Sequence, residues 1–244
     1  MNVTTCDDFV GADDGHGTVV LRYADGAVSY LPVGFFRNGA DRDIEDLDYD
    51  FNIGRCAMIG AGSVVKYDSG NQKLVVGNYV QGGLRLKFLL NGRHEIRMIS
   101  MTMFNIMSQR HVAVEAPPVP QYDDTIIKND VWIGDEAMFL GGSVTENGCV
   151  IGARSLVPAN FRSEPYGIYA GTPARLLRFR FSDAVVAELL ELAWWEMPLT
   201  WVIANNDAFL VDLTEDEPRA LDVLARLREA KAAALPETPI TEHA

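Results

Sequence analysis

Residues 124–157 read DTIIKNDVWIGDEAMFLGGSVTENGCVIGARSLV, and the spacing of apolar residues in this stretch decides the fold. Steps of six from Ile127 reach Ile133, Phe139, Thr145, Ile151 and Val157, with Thr145 the single polar member. Four places after the first five come Val131, Ala137, Ser143, Cys149 and Ser155, all small or β-branched. A period of six matches neither a helical face nor the period-two alternation of an antiparallel strand. It matches a parallel β-helix. Three such units close one flat-sided coil, apolar residues point inward, small residues relieve the corners, and each coil is buried by stacking on the next. The same register occurs upstream in IGRCAMIGAGSV, residues 53–64, and again from Val76.

Two interruptions break the register. One, near Lys66 to Lys73, is short and polar. The other runs from about Leu90 to Asp124, carries His94 and His111, and ends in APPVPQYDD, where prolines favour extended chain. A long loop inside a compact repeat is uncommon unless it serves a function, so chemistry is expected there. The first fifty residues read as strands and turns capping the first coil, with alternation from Thr18 to Leu31. The coil is expected over 51–181 and helices over 182–244. Ser182 is the expected N-cap of a helix from Asp183 to about Glu191. A second helix is expected from Leu199 to Leu210, and Thr214 with Glu217 forms a capping box for a third ending near Ala234.

The 244 residues are 48% apolar and 23% charged, enough for a real core, which excludes disorder of the whole chain. Thirty-four acidic against 21 basic side chains leave a net charge of −13, which repels nucleic acid and anionic lipid, so neither is an expected partner. An anionic ligand has to find a local basic patch. No run approaches the roughly 18 apolar residues of a membrane span. The start, MNVTTCDDFVGADDG, has neither a basic nor an apolar stretch, and a cytoplasmic protein is expected. Cys6, Cys56 and Cys149 lie far apart with no CxxC pair and are expected to be free, buried thiols. Of His16, His94, His111 and His243, two sit near the termini. A zinc site of three histidines, as in a γ-type carbonic anhydrase, has too few candidates, and no metal is expected.

Five segments then resemble one family: KLVVGNYVQGG (73–83), NGRHEIRMISMTMFNIM (91–107), DTIIKNDVWIG (124–134), YAGTPARLLRFRFSD (169–183) and LAWWEMPLTWVIANN (192–206). In this order they resemble the hexapeptide-repeat acyltransferases, specifically the xenobiotic acetyltransferase group with its streptogramin and type B chloramphenicol acetyltransferases. The resemblance implies a left-handed parallel β-helix, an exception to right-handed crossovers, with a protruding catalytic loop and C-terminal α-helices. It also implies a homotrimer with active sites between subunits, acetyl-CoA as donor and a small-molecule acceptor.

Acyl transfer from a thioester needs a base for the acceptor's proton, and imidazole titrates in the right range. His94 stands at the family's catalytic histidine position, and direct transfer is expected, since no Ser-His-Asp triad is visible. Gly141 and Gly142 match the family's proline-glycine pair and are candidate backbone donors to the developing oxyanion. Ala153, Arg154 and Ser155 match an edge that lines CoA, Thr172 and Pro173 match its adenine-side turn, and Trp132 is a candidate wall at the thiol end. Arg175 and Arg178, with Arg180 and Arg162 nearby, make an anion site plausible in this acidic chain. Trp194 and Trp195 are expected to pack between helix and coil. Where the family often has STYPF this chain has Ser100-Met101-Thr102-Met103-Phe104. With Met98 and Met107 that makes four methionines in the loop, which remodels the acceptor pocket. A sugar nucleotide or polysaccharide precursor as acceptor, and a non-catalytic β-helix scaffold, are the competing readings.

Overall fold

Each hexad forms one short strand and one corner, and three hexads return the chain to its starting face. The computed structural model describes residues 18–32, 51–66, 72–91, 94, 96–101 and 122–234. Cys6, His16, Phe104, His111, His243, Met103 and Met107 lie outside them, as does most of each interruption. A hairpin of β1 (Thr18–Arg22) and β2 (Val28–Pro32) comes first. Four coils follow: β3 (Phe51–Ile53), β4 (Met58–Ile59) and β5 (Val64–Lys66); β6 (Leu74–Val76), β7 (Gln81–Gly82) and β8 (Lys87–Leu89); β9 (Thr125–Ile127), β10 (Trp132–Ile133) and β11 (Met138–Leu140); β12 (Val144–Thr145), β13 (Val150–Ile151) and β14 (Leu156–Val157). A second hairpin, β15 (Gly167–Gly171) and β16 (Ala174–Phe179), closes the stack.

Strand pairing turns these coils into three parallel faces. Face one is β3-β6-β9-β12, face two runs β4-β7-β10-β13 and face three is β5-β8-β11-β14. Face two is extended by β2 and β1 at one end and by β15 and β16 at the other, giving eight strands. The register is the one the hexad requires. Ile127, Ile133, Phe139, Thr145, Ile151 and Val157 are all fully buried, and so are Val131, Ala137, Ser143, Cys149 and Ser155. Stacked inward residues touch along the axis: the rings of Phe88 and Phe139 lie 4.9 Å apart, nearly parallel. Where side chains would collide, the repeat uses glycine. A Cβ on Gly134 would lie 2.5 Å from the backbone nitrogen of Ala153.

The corners are built alike. At the first corner, between faces one and two, Cys56, Tyr79, Asp130, Gly148 and Tyr166 have left-handed backbone. At the second, between faces two and three, so have Gly62, Arg85, Glu136 and Arg154, and at the third, Gly142 and Asn160. Non-glycine residues there cost roughly 1–2 kcal/mol each. The offset is visible in the hydrogen bonds, because this conformation turns the amide along the coil axis. Tyr79, Asp130 and Tyr166 N–H donate to the carbonyls of Arg55, Asn78 and Asn147 at 2.8–2.9 Å, and Glu136 and Arg154 N–H to those of Leu84 and Asp135 at 2.8 Å. Asparagine side chains add a second ladder: Asn78 Oδ1 accepts from Arg55 N–H, Asn129 Oδ1 from Asn78 N–H, and Asn147 Oδ1 from Asn129 N–H.

The C-terminal layer comprises α1 (Asp183–Leu192), a 3-10 turn (Trp194–Glu196), α2 (Leu199–Ala204), α3 (Asn206–Phe209) and α4 (Glu217–Ala234). Ser182 caps α1, its hydroxyl accepting from Val185 N–H. Two expectations need correction. The helix expected from Leu199 to Leu210 is broken at Asn205, whose side-chain amide donates to the Trp201 carbonyl while its own backbone leaves the helical region. The cap of α4 is Asp216, which accepts from Arg219 N–H at 3.1 Å, while Thr214 donates to Asp212 instead. Trp195 is buried, as expected, and its carbonyl accepts from Asn78 Nδ2 at 3.0 Å, while Trp194 packs on Tyr79. No helix among the described residues is long and apolar enough to cross a membrane.

The Thr145 hydroxyl is buried without a partner among the described residues. Thr145→Val keeps the shape and removes that unmet polar group, so it is expected to stabilise the fold by about 1 kcal/mol, read from urea unfolding.

Candidate active site

Two edges of the coil collect the residues singled out in the sequence. The second corner holds Ala153, Arg154 and Ser155, with Thr172 and Pro173 on the turn that follows in the stack. Ser155 Oγ accepts from Gly171 N–H at 3.2 Å, tying that turn to the coil. Arg154 Nε donates to Glu136 Oε2 at 2.7 Å, and Arg85 meets the other carboxylate oxygen at 2.6 Å. These two guanidinium groups, Arg85 foremost, hold the Glu136 carboxyl below its usual range. This Arg85–Glu136–Arg154 ladder was not anticipated. Its signal was present: residues 136 and 154 are three hexads apart, one full coil.

Trp132 lies on face two and is 59% exposed. It belongs to an outward row in register: Trp132 beside Val150, Val150 beside Ile168, and Ile168 opposite Arg178. At about 4.8 Å per strand, Trp132 and Arg178 are roughly 14 Å apart. Arg175, opposite Ala170, is on the same strand as Arg178, and both are exposed. The other two arginines are structural anchors. Arg162 donates to the Gly142 and Phe161 carbonyls, and Arg180 donates to the Gly148 carbonyl at 2.8 Å and pairs with Asp130 at 3.3 Å. Burial pushes the Asp130 carboxyl up, with Arg180 opposing that shift.

The third corner holds Gly141 and Gly142. A Cβ on Gly141 would lie 2.1 Å from the Leu90 carbonyl oxygen and 2.5 Å from the Tyr122 ring. Leu90 and Tyr122 are the two roots of the long loop, so both seat on this glycine. Gly142 has φ +74, and its N–H donates to Thr125 Oγ1 at 3.1 Å. Of the two expected oxyanion donors, Gly142 is therefore the one whose amide already has a partner inside the coil.

His94 is exposed on this loop, with Nδ1 3.0 Å from the Met101 carbonyl. A carbonyl only accepts, so Nδ1 carries the proton and the lone pair of the neutral ring is at Nε2. Ile96, Met98, Ile99 and Met101, which follow it in the loop, are exposed apolar residues. In one chain the loop roots and the Ala153–Pro173 edge sit on opposite margins of face three. Its three-residue strands make that width roughly 10 Å. Cys149 is a buried free thiol as expected, whereas Cys56 is only partly buried, at a coil corner; burial pushes both thiols up, away from thiolate character. Among the described residues no cluster of three or more His, Cys, Asp or Glu side chains could hold a metal.

No protein-family model matches the chain. It is 36% identical over 132 residues to a probable macrolide acetyltransferase of Lysinibacillus sphaericus, covering 53% of this chain and 72% of that protein. The chain belongs to the xenobiotic acetyltransferase group of hexapeptide-repeat acyltransferases. A second relative in the group, a chloramphenicol acetyltransferase of Agrobacterium fabrum (strain C58 / ATCC 33970), is 37% identical over 143 residues. The match covers 54% of this chain and 63% of that protein, less than two thirds of its length. A hexapeptide-repeat acetyltransferase of Vibrio cholerae O1 biovar eltor, solved with acetyl-CoA, is similar at 24% identity and a TM-score of 0.41, over 54% of this chain and 61% of the other.

The contrast among the arginines of this xenobiotic acetyltransferase homologue is testable. Arg180→Ala, which leaves the half-buried Asp130 and the Gly148 carbonyl without their donor, is expected to lower stability by about 1–3 kcal/mol, whereas Arg178→Ala should stay within about 0.5 kcal/mol. Paired urea titrations read both.

Proposed function

We propose that the chain is an acetyl-CoA-dependent O-acetyltransferase that acts on a hydroxyl of a small natural-product molecule. The observation that carries the reading is the hydrogen bond from His94 to the Met101 carbonyl, which leaves Nε2 as an exposed base on the projecting loop. Family membership supplies the donor class. Most of the residues present fit such a donor: Ala153 leaves a small exposed edge, Thr172 and Pro173 turn beside it, and Arg154, Arg175 and Arg178 bring exposed cations to an acidic protein, whereas Ser155, expected to line the donor, points inward and holds the turn instead.

Acetyl-CoA, when bound, supplies the activated thioester. His94 Nε2 takes the acceptor's hydroxyl proton as its oxygen attacks and returns that proton to the departing thiol, so the ring ends as it began. Trp132 walls the donor's path along face two. Gly141 seats the loop roots on the coil, and of the glycine pair it is the oxyanion donor, since the Gly142 amide is occupied by Thr125. The coil is left-handed, with 1–50 as cap, 51–181 as coil and 182–244 as helices, and the chain works in the cytoplasm. A homotrimer places the loop of one subunit against the Ala153–Pro173 edge of the next, which accounts for their lying on opposite margins of face three in a single chain. No metal takes part in this scheme.

The exposed apolar side chains of Ile96, Met98, Ile99 and Met101 on the loop that carries His94 favour an apolar acceptor over a sugar nucleotide or polysaccharide precursor. Thiol release from acetyl-CoA with chloramphenicol, streptogramin A compounds, macrolides and amino-sugars as acceptors tests the reading. His94→Ala is expected to lower turnover at least about a hundredfold with donor binding retained. Equal turnover in the variant overturns the base assignment, and no acetyl-CoA binding by either protein returns the chain to a scaffold. Replacing Arg175 and Arg178 together by Ala is expected to raise KM for acetyl-CoA while leaving kcat nearly intact.

A further inference from the structure

Sulfur is concentrated on the loop that carries His94. Four of the eight methionines fall within residues 98–107, and the two that the structure describes there, Met98 and Met101, are 48% and 61% exposed. We propose that Met98 and Met101 form a reversible oxidation site, at which a hydroperoxide converts each thioether to a sulfoxide and so weakens the loop's hold on an apolar acceptor. The modification rests on exposure and sulfur chemistry; its effect on the acceptor rests on the acetyltransferase reading above.

The other described sulfurs are poorer targets or sit elsewhere. A thiol reacts as its thiolate, and burial holds Cys56 and Cys149 away from that form. Met197 is buried in the helical layer, and Met138 is half-buried on β11. Met58 is exposed, but it belongs to β4 of the coil rather than to the loop. A thioether needs no deprotonation, so contact with the oxidant decides which methionine reacts. The sulfur lone pair attacks one peroxide oxygen, and an S–O bond forms as the O–O bond breaks. The departing oxygen takes the proton of the transferred one and leaves as water, so sulfur is oxidised and the peroxide reduced. The product is polar. On a loop whose Ile96 and Ile99 are also exposed, it replaces part of an apolar surface with a strong acceptor oxygen. The Met101 carbonyl that bonds His94 Nδ1 belongs to the backbone and is unchanged, so the base keeps its tautomer.

Peptide mapping by mass spectrometry after hydrogen peroxide treatment tests the site. A Met58→Leu background removes the other exposed methionine among the described residues. The expected map shows one added oxygen on Met98 and on Met101, with Met138 and Met197 unmodified. The KM for an apolar acceptor should rise about three- to tenfold, with kcat and acetyl-CoA affinity nearly unchanged. Methionine sulfoxide reductase, supplied with a dithiol, should reverse the rise. Met98→Leu combined with Met101→Leu keeps the apolar volume, and its KM after peroxide should equal its own untreated value. That comparison separates these two residues from Met103 and Met107. Loop methionines no more oxidised than Met197, an unchanged acceptor KM at full oxidation, or an equal rise in the double-leucine variant would overturn the assignment. If the untreated chain acetylates no acceptor, the acetyltransferase reading fails and the peptide map alone decides the modification site.

Discussion

The fold depends on a backbone decision repeated along its first two corners: one residue turns left-handed so that its amide points along the stack and bonds the previous coil. Tyr79, Asp130 and Tyr166 do this on one edge, and Arg85, Glu136 and Arg154 on the next. A chain of two- and three-residue strands has few ladder bonds per strand. The corner amides therefore carry a large part of the coil-to-coil bonding, and each bond opposes the strain of the conformation that makes it. Glycine enters where this geometry brings backbones too close for a Cβ. Gly54 over Gly77 and Gly134 over the Gly152–Ala153 link are such places.

That constraint also positions the chemistry. Because corners stack, a residue at a given hexad position reappears beside its counterpart one coil away, which is how Arg85, Glu136 and Arg154 form a charge ladder and how Trp132, Val150 and Ile168 form a row. The same stacking seats both roots of the long loop on Gly141. The loop roots therefore lie at one margin of face three, while Ala153 and the Thr172–Pro173 turn lie at the other. A rigid coil has no means of folding one edge onto another.

How much of this was legible varies with the range of the interaction. The hexad period located every inward residue from Ile127 to Val157, including Thr145, because that pattern is dictated by burial alone. The start of α1 was legible because Ser182 caps within its own turn. Thr214 misled because the helix starts at Glu217, two residues later than a Thr214 cap requires, so the capping position belongs to Asp216, which accepts from Arg219 N–H, while Thr214 bonds Asp212. The division of the arginines was not legible at all. Arg162 and Arg180 are matched to carbonyls 20 and 32 residues away, in other coils. Gly142 similarly gives its amide to Thr125, a partner set by stacking rather than by neighbours in sequence.

The basic run RLLRFR (175–180) shows how one short motif serves two purposes. β16 pairs with β15 through Arg178 opposite Ile168 and carries a register irregularity next to that pair, between Ile168 and Tyr169. Beyond the strand, Arg180 N–H donates to the Tyr166 carbonyl at 2.9 Å, and its guanidinium reaches back to Gly148 and Asp130 at the first corner. Ser182 follows two residues later and starts α1. The anchor at Arg180 therefore fixes where the helical layer begins, while Arg175 and Arg178, before the anchor, remain at the surface of the hairpin. A charge change at Arg180 acts on the placement of α1. A charge change at Arg178 acts on whatever anion approaches face two. The two effects separate because the strand ends between them.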